Sequence, residues 1–379
     1  MAQTTRSWFV VLALLVSGCT ADPAAGSPPT PGAATQESSS AAASSALPSG
    51  SATASPTGSA TADATSTPTA APSASTTPTR PSSPPSSKAD PVSVQALIER
   101  DYDGRDLRVG RLLDDAGAYR RYLVTYRSEK LRVSGVMNVP RGKGPFPVVV
   151  LAHGYIDPDV YQPGQGLRRE QDYLARQGYV VLHTDYRGHA TSDDDSSVDY
   201  ELRLPYAVDV VNAVLAVKSS GLDYVDADRV GLLGRSMGGN VVLNALVAKP
   251  GLVDAAVVYA STSSLAADNW KQFYDDAGDR ASVNRRIERT YGLPEDNPAF
   301  WRAASPRGYF SRVTEPVQLH HGTADDTCPP RWSEATLEAL RAAGKDATLF
   351  RYPGEGHAFY DQWQRSIERT ERFFAEHLR

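Results

Sequence analysis

The chain has 379 residues and a formal net charge of −5 at pH 7. Of the 69 residues from Thr20 to Lys88, 62 are Ala, Ser, Thr, Pro or Gly and none is aromatic, so burial cannot offset the entropy of ordering them. The rest, about 290 residues, suits one large domain or two small ones, and its mild acidity without a Lys/Arg cluster argues against a nucleic-acid partner.

In chain order, residues 1–19 come first: Arg6, an apolar run over residues 8–16, then Ser17-Gly18-Cys19. About ten apolar residues are too few for a bilayer, which takes about twenty, so the segment reads as an export signal. Residues 20–91 read as a disordered linker and 92–379 as the folded domain. An antiparallel pair is expected at 121–127 and 131–139. Continuous apolar runs at 148–151, 179–182, 230–233, 255–259, 317–319 and 348–350 read as strands buried on both faces. Helical periods fall between them at 167–177, 204–219, 237–249, 332–343 and 362–377. Alternating strand and helix gives an α/β fold with a mostly parallel, doubly wound sheet. Residues 261–316 break the alternation and are expected to form a helical cap, whose Trp270, Phe273 and Tyr274 either pack its core or line an acyl pocket.

Gly234-Arg235-Ser236-Met237-Gly238 fits G-x-S-x-G. The run follows an apolar strand and opens a helix, the setting in which a serine stands exposed on a tight turn as a nucleophile. A phosphate loop would call for a Lys or the G-x-G-x-x-G spacing, and neither is present. A serine hydroxyl needs a neighbouring imidazole to take its proton. Of the seven His, His357 sits in the Gly-rich loop after the last strand, at the same sheet edge as Ser236, and is the expected base. His153 and His183 fall at strand ends and read as structural, His189 lies in a loop, and His377 belongs to the last helix. The carboxylate that orients His357 is expected from Asp325 or Asp326, which follow the strand at 317–319. The chain order Ser, Asp, His is that of the α/β-hydrolases. Asp268, the rival, lies well into the cap. Asp157, Asp159 and Asp193 to Asp195 lack the spacing of a calcium loop and read as solvated loop acids, so no metal site and no cofactor is expected.

Two resemblances add to this. Leu15-Val16-Ser17-Gly18-Cys19 resembles a bacterial lipobox, which implies lipidation of Cys19 and a domain tethered by the linker to the outer face of the cell membrane. Cys328 would then be the one thiol of the mature domain, without a disulfide; it is expected to be a packed small residue. The run Gly234 to Gly239, the segment His321-Gly322-Thr323-Ala324-Asp325-Asp326 and Ser305-Pro306 resemble the catalytic domain of the prolyl oligopeptidase family. That resemblance implies an α/β-hydrolase that transfers acyl groups through Ser236, with Asp325 rather than Asp326 orienting His357. It implies oxyanion donors in the backbone N–H groups of Met237 and Tyr155. The family's oligopeptidases carry a β-propeller, for which the roughly 30 residues between linker and first strand are too few. The substrate therefore stands open between an ester and a small amide or peptide, with a binding lipoprotein that has lost catalysis as the alternative. The oligomeric state is not legible.

Overall fold

The computed structural model of the protein describes residues 89–273 and 280–378; the expected export signal with Cys19, residues 20–88 of the expected linker and Tyr274 lie outside the described residues. The described part opens with helix α1 (Val94–Glu99), capped by Ser93 Oγ, which accepts from Ala96 N. An antiparallel meander follows: β1 (Arg105–Asp115), β2 (Tyr119–Ser128) and β3 (Leu131–Pro140). The chain then alternates β4 (Phe146–Ala152), α2 (Arg168–Arg176), β5 (Val180–Thr184), α3 (Pro205–Lys218), β6 (Val225–Arg235), α4 (Met237–Ala248) and β7 (Ala255–Tyr259). Three helices, α5 (Ala266–Phe273), α6 (Ala281–Tyr291) and α7 (Pro298–Ala303), and a 3-10 turn at Pro306–Arg312 intervene before β8 (Val317–Gly322), α8 (Arg331–Ala342), β9 (Ala347–Tyr352) and α9 (Trp363–Leu378).

The strands form one sheet in the order β1-β2-β3-β5-β4-β6-β7-β8-β9. Every pair from β5 to β9 in that order is parallel, and β3 joins β5 antiparallel. The fold is thus the mostly parallel α/β sheet expected from the alternation of elements.

Successive side chains of a strand leave opposite faces, and β4 shows what that requires here. Val148, Val150 and Ala152 enter the core beneath α3 and α4, while Val149 and Leu151 enter a second core with Leu174 of α2 and Phe374 of α9. Both faces are covered, which is why these strands read as unbroken apolar runs. Two elements escaped the sequence reading. One is α1, a short helix; the other is β1, whose Arg and Asp residues leave it largely exposed at the sheet edge. The chain turns one way from β4 to β5 and the other way to β6, so β4 and β6 flank a topological switch point, where open α/β sheets bind ligands beyond their carboxyl ends.

Candidate active site

Ser236 stands between the last residue of β6 and the first of α4, with φ 58° and ψ −124°. An L-residue seldom occupies that region, and it persists only where surroundings fix it. Three backbone hydrogen bonds do so: Ser236 N–H donates to Tyr259 O at 2.9 Å, while Ser236 O accepts from Gly239 N at 3.0 Å and Thr262 N at 3.2 Å. The turn is also pressed against the end of β4. A Cβ on Gly154 would lie 3.1 Å from Ser236 Cβ, so Tyr155, the next residue, belongs to the loop lying directly beside Ser236. Met237 is the first residue of α4, where an N–H has no acceptor within the helix. The two residues expected to supply oxyanion donors are therefore neighbours of Ser236, one from each strand at the switch point.

The loops after β8 and β9 are laced together by backbone bonds. Thr323 N–H donates to Tyr352 O at 3.0 Å and Ala324 N–H to Glu355 O at 2.9 Å. This brings His357 Nδ1 to 2.9 Å from Asp325 Oδ2. The other carboxylate oxygen of Asp325 accepts from the N–H groups of Cys328 at 2.8 Å and Thr327 at 3.0 Å. Burial alone would raise the Asp325 pKa, but hydrogen bonds from His321, His357 and Cys328 outweigh it and hold the carboxyl well below the usual carboxylate range. Asp326 is exposed and accepts from Thr327 Oγ1 at 3.3 Å. Asp268, in the first turn of α5, accepts at 2.6 Å from Ser263 Oγ, just ahead of that helix.

Ser236 and His357 line one cleft of about 580 Å³, shared with Tyr155, Leu204, Phe273 and Trp301. No hydrogen bond joins Ser236 to His357 among the described residues; such contacts commonly tighten only when substrate is bound. The cap aromatics divide. Phe273 reaches the cleft, whereas Trp270 packs on Trp301 at 5.1 Å between ring centres and belongs to the core. At the rim, the Arg203 guanidinium covers the Tyr155 ring at 4.4 Å and pairs with Asp199 at 3.1 Å. Asp199 also pairs with Arg280 at 2.7 Å.

The remaining His residues are held in other roles. His153 is fully buried, its Nδ1 2.6 Å from Gly154 O and its ring against Tyr161 and Tyr186. Burial, and then the neighbouring His189, push its pKa down to about 3. Burial likewise lowers His183 and His189. His320 stacks on Tyr259 at 4.3 Å. Cys328 is fully buried. Burial first, and then the Asp325 charge, push its thiol up to about 12, with the Ser236 hydroxyl acting the other way.

One expectation needs correcting. Asp195 is not merely a solvated loop acid: it pairs at 2.8 Å with Arg187, which is 4% exposed and also pairs at 2.8 Å with the fully buried Asp209. Among the described residues, no group of three or more His, Cys, Asp or Glu is arranged to hold a metal ion. Two contacts went unseen in the sequence. Arg235, beside Ser236, pairs at 2.6 Å with the buried Glu170, which also accepts from Trp363 Nε1 at 3.0 Å. His321 lies against Asp325. An acid four residues after a His within a turn was a signal for the second; nothing local signalled the first, whose partners lie 65 residues apart.

The chain is similar to several known proteins. The chain is 29% identical over 226 residues to the uncharacterized peptidase YuxL of Bacillus subtilis, covering 57% of this chain and 31% of that protein. It is 29% identical over 162 residues to the esterase LipQ of Mycobacterium tuberculosis, covering 41% and 38%. The chain thus spans less than two fifths of the length of these curated relatives. Among solved structures, the acetyl xylan esterase from Paenibacillus sp. R4 superposes with a TM-score of 0.58 at 19% identity, over 75% of this chain and 92% of that one. The acylaminoacyl peptidase of Pyrococcus horikoshii does so with a TM-score of 0.54 at 20% identity, over 69% and 42%. These likenesses place the fold among the α/β-hydrolases. Residues 165–379, which carry Ser236, Asp325 and His357, match the prolyl oligopeptidase family, and the chain belongs to this family.

Proposed function

We propose that the protein cleaves esters or small amides through an acyl-enzyme on Ser236. The Ser236 hydroxyl attacks the substrate carbonyl as His357 Nε2 takes its proton, and the carbonyl oxygen becomes an oxyanion. The N–H groups of Met237 and Tyr155 receive that charge. Collapse breaks the bond to the leaving group, which departs with the proton from His357. Water then attacks the acyl-enzyme, giving its proton to His357, and the acid leaves as Ser236 recovers its hydrogen. Asp325 keeps the hydrogen of the neutral imidazole on Nδ1, so that Nε2 is free to act as base.

The observation that carries this reading is the 2.9 Å bond between His357 Nδ1 and Asp325 Oδ2, in a cleft shared with a serine at positive φ. Enclosure of the cleft by Leu204, Phe273 and Trp301 favours an apolar acyl group. A fluorophosphonate probe tests the chemistry: it should label the wild type and spare Ser236→Ala. Labelling that survives the substitution sinks the reading. Comparing p-nitrophenyl acyl esters with blocked peptide anilides separates ester from peptide cleavage.

The lipobox resemblance around Cys19 supports attachment of the enzyme to the outer face of the cell membrane. Cys19→Ala should then abolish incorporation of radiolabelled palmitate; unchanged incorporation removes the anchor from the reading.

A further inference from the structure

The Asp325 carboxylate is bordered by two imidazoles. His357 meets its Oδ2 at 2.9 Å from the cleft side, and His321 Nε2 lies 3.1 Å from the same oxygen on the buried side. His321 is 1% exposed and is the fifth residue of β8. Its protonation pattern follows from its partners. Nε2 lies 2.8 Å from the carbonyl oxygen of Cys328, which can only accept, so this nitrogen carries a hydrogen. Nδ1 lies 2.6 Å from Ser333 Oγ, a hydroxyl able to donate to it. Ser333 is itself buried in the first turn of α8.

We infer that His321 is a positioning residue for Asp325, holding the carboxylate ionised and aimed at His357 through its Nε2–H edge and through the Cys328 peptide. The peptide is the second lever. Its carbonyl accepts from His321 while its N–H donates to Asp325 Oδ1 at 2.8 Å. One Nε2–H, bonded to the Cys328 carbonyl and 3.1 Å from Asp325 Oδ2, thus bears on both carboxylate oxygens, one by close approach and one through a peptide plane. Among the influences on the Asp325 charge, the His321 contact is the largest that favours ionisation. The other polar groups facing this corner are the Cys328 thiol, the Thr327 N–H and His357. Arg351, opposite His321 in β9, is engaged by Glu334 at 2.9 Å.

The charge balance sets the sign of the test. Donors on Asp325 draw part of its charge away from His357 and so make the imidazolium less stable. Removing the His321 contact should leave more of the Asp325 charge facing the cleft, and the acid limb of the kcat/KM profile should move to higher pH. The inference rests on the roles proposed above for Ser236, Asp325 and His357.

The experiment uses the full chain with p-nitrophenyl acetate. His321→Leu is expected to lower kcat about tenfold, the worth of one hydrogen bond to a charged group, with KM little changed and the acid limb raised. His321→Gln, whose amide can offer an N–H at similar reach, should restore most of kcat and the wild-type limb. Ser333→Ala, which leaves His321 in place, should move both quantities in the direction of His321→Leu by a smaller amount, and it decides the matter if His321→Leu fails to fold. A wild-type kcat and acid limb in His321→Leu, equal impairment in the Gln and Leu variants, or a wild-type profile in Ser333→Ala overturns the inference. If Ser236→Ala retains activity, it is the underlying reading that has failed; if Ser236→Ala is inactive and the His321 and Ser333 variants behave as wild type, only the role of His321 is lost.

Discussion

A Cβ placed on Gly238 would lie 2.0 Å from the carbonyl oxygen of Ala152. The first turn of α4 therefore rests on the last residue of β4, and this contact holds the Ser236 turn beside Tyr155. Alanine is the better helix former by about 1 kcal/mol, but overlap with rigid backbone is the larger effect. Gly238→Ala should destabilise the fold by about 3 kcal/mol and remove most activity. Urea denaturation and fluorophosphonate labelling check this, and a variant of unchanged stability refutes it.

Asp325 and Asp326 are adjacent, yet only Asp325 touches His357. Asp325→Asn should lower kcat by about 10³ to 10⁴, because the amide can favour the wrong tautomer of His357. Asp326→Asn should leave kcat within about twofold of wild type. Similar losses in both variants would assign the carboxylate role wrongly.

The depressed Asp325 carboxyl also links to stability. A carboxyl held below its unfolded value of about 3.9 stabilises the fold above that pH, and the contribution fades as pH falls toward the folded value. The stability difference between wild type and Asp325→Asn, read from urea midpoints, should be larger at pH 7 than at pH 3. A gap that widens on acidification contradicts this account.

Glu170 is 1% exposed and holds both Arg235 and Trp363. Glu170→Ala leaves a largely buried guanidinium without its carboxylate and should cost about 3 kcal/mol, with a matching loss of thermal stability. A melting temperature within a degree of wild type would show that the pair is dispensable.

The Cys328 thiol, pushed up to about 12 by burial, is almost wholly protonated at pH 8 and sealed from reagent. Iodoacetamide should leave it unmodified in the folded protein and alkylate it after unfolding in urea. Rapid native alkylation, read by mass spectrometry, would contradict this placement.

The sheet was readable because each of its buried strands announces itself by composition: residues 148–151 and 255–259 are apolar throughout and are bounded by turns. Ser236 was readable because a G-x-S-x-G run means something specific between a strand and a helix. The contact of His357 with one of two neighbouring acids depends on which way a loop peptide faces, and the residues alone left both open. Arg235 with Glu170 depends on how α2 packs against the end of β6, a tertiary matter without local trace. β1 was missed because its largely exposed, charged residues give little of the burial-driven alternation by which strands are recognised.

That edge strand has a bearing on life among other chains. Among the described residues, β1 leaves one side of its backbone unpaired by any other strand, yet its pairing to β2 slips in register three times between Arg105 and Asp114. Its outer surface is studded with Arg and Asp side chains, Asp115 being tied to Arg120 at 3.6 Å. A neighbouring molecule seeking to zip onto the sheet meets an uneven row of backbone groups and a hedge of charge. Crowded copies should therefore slide past one another at this edge rather than adhere.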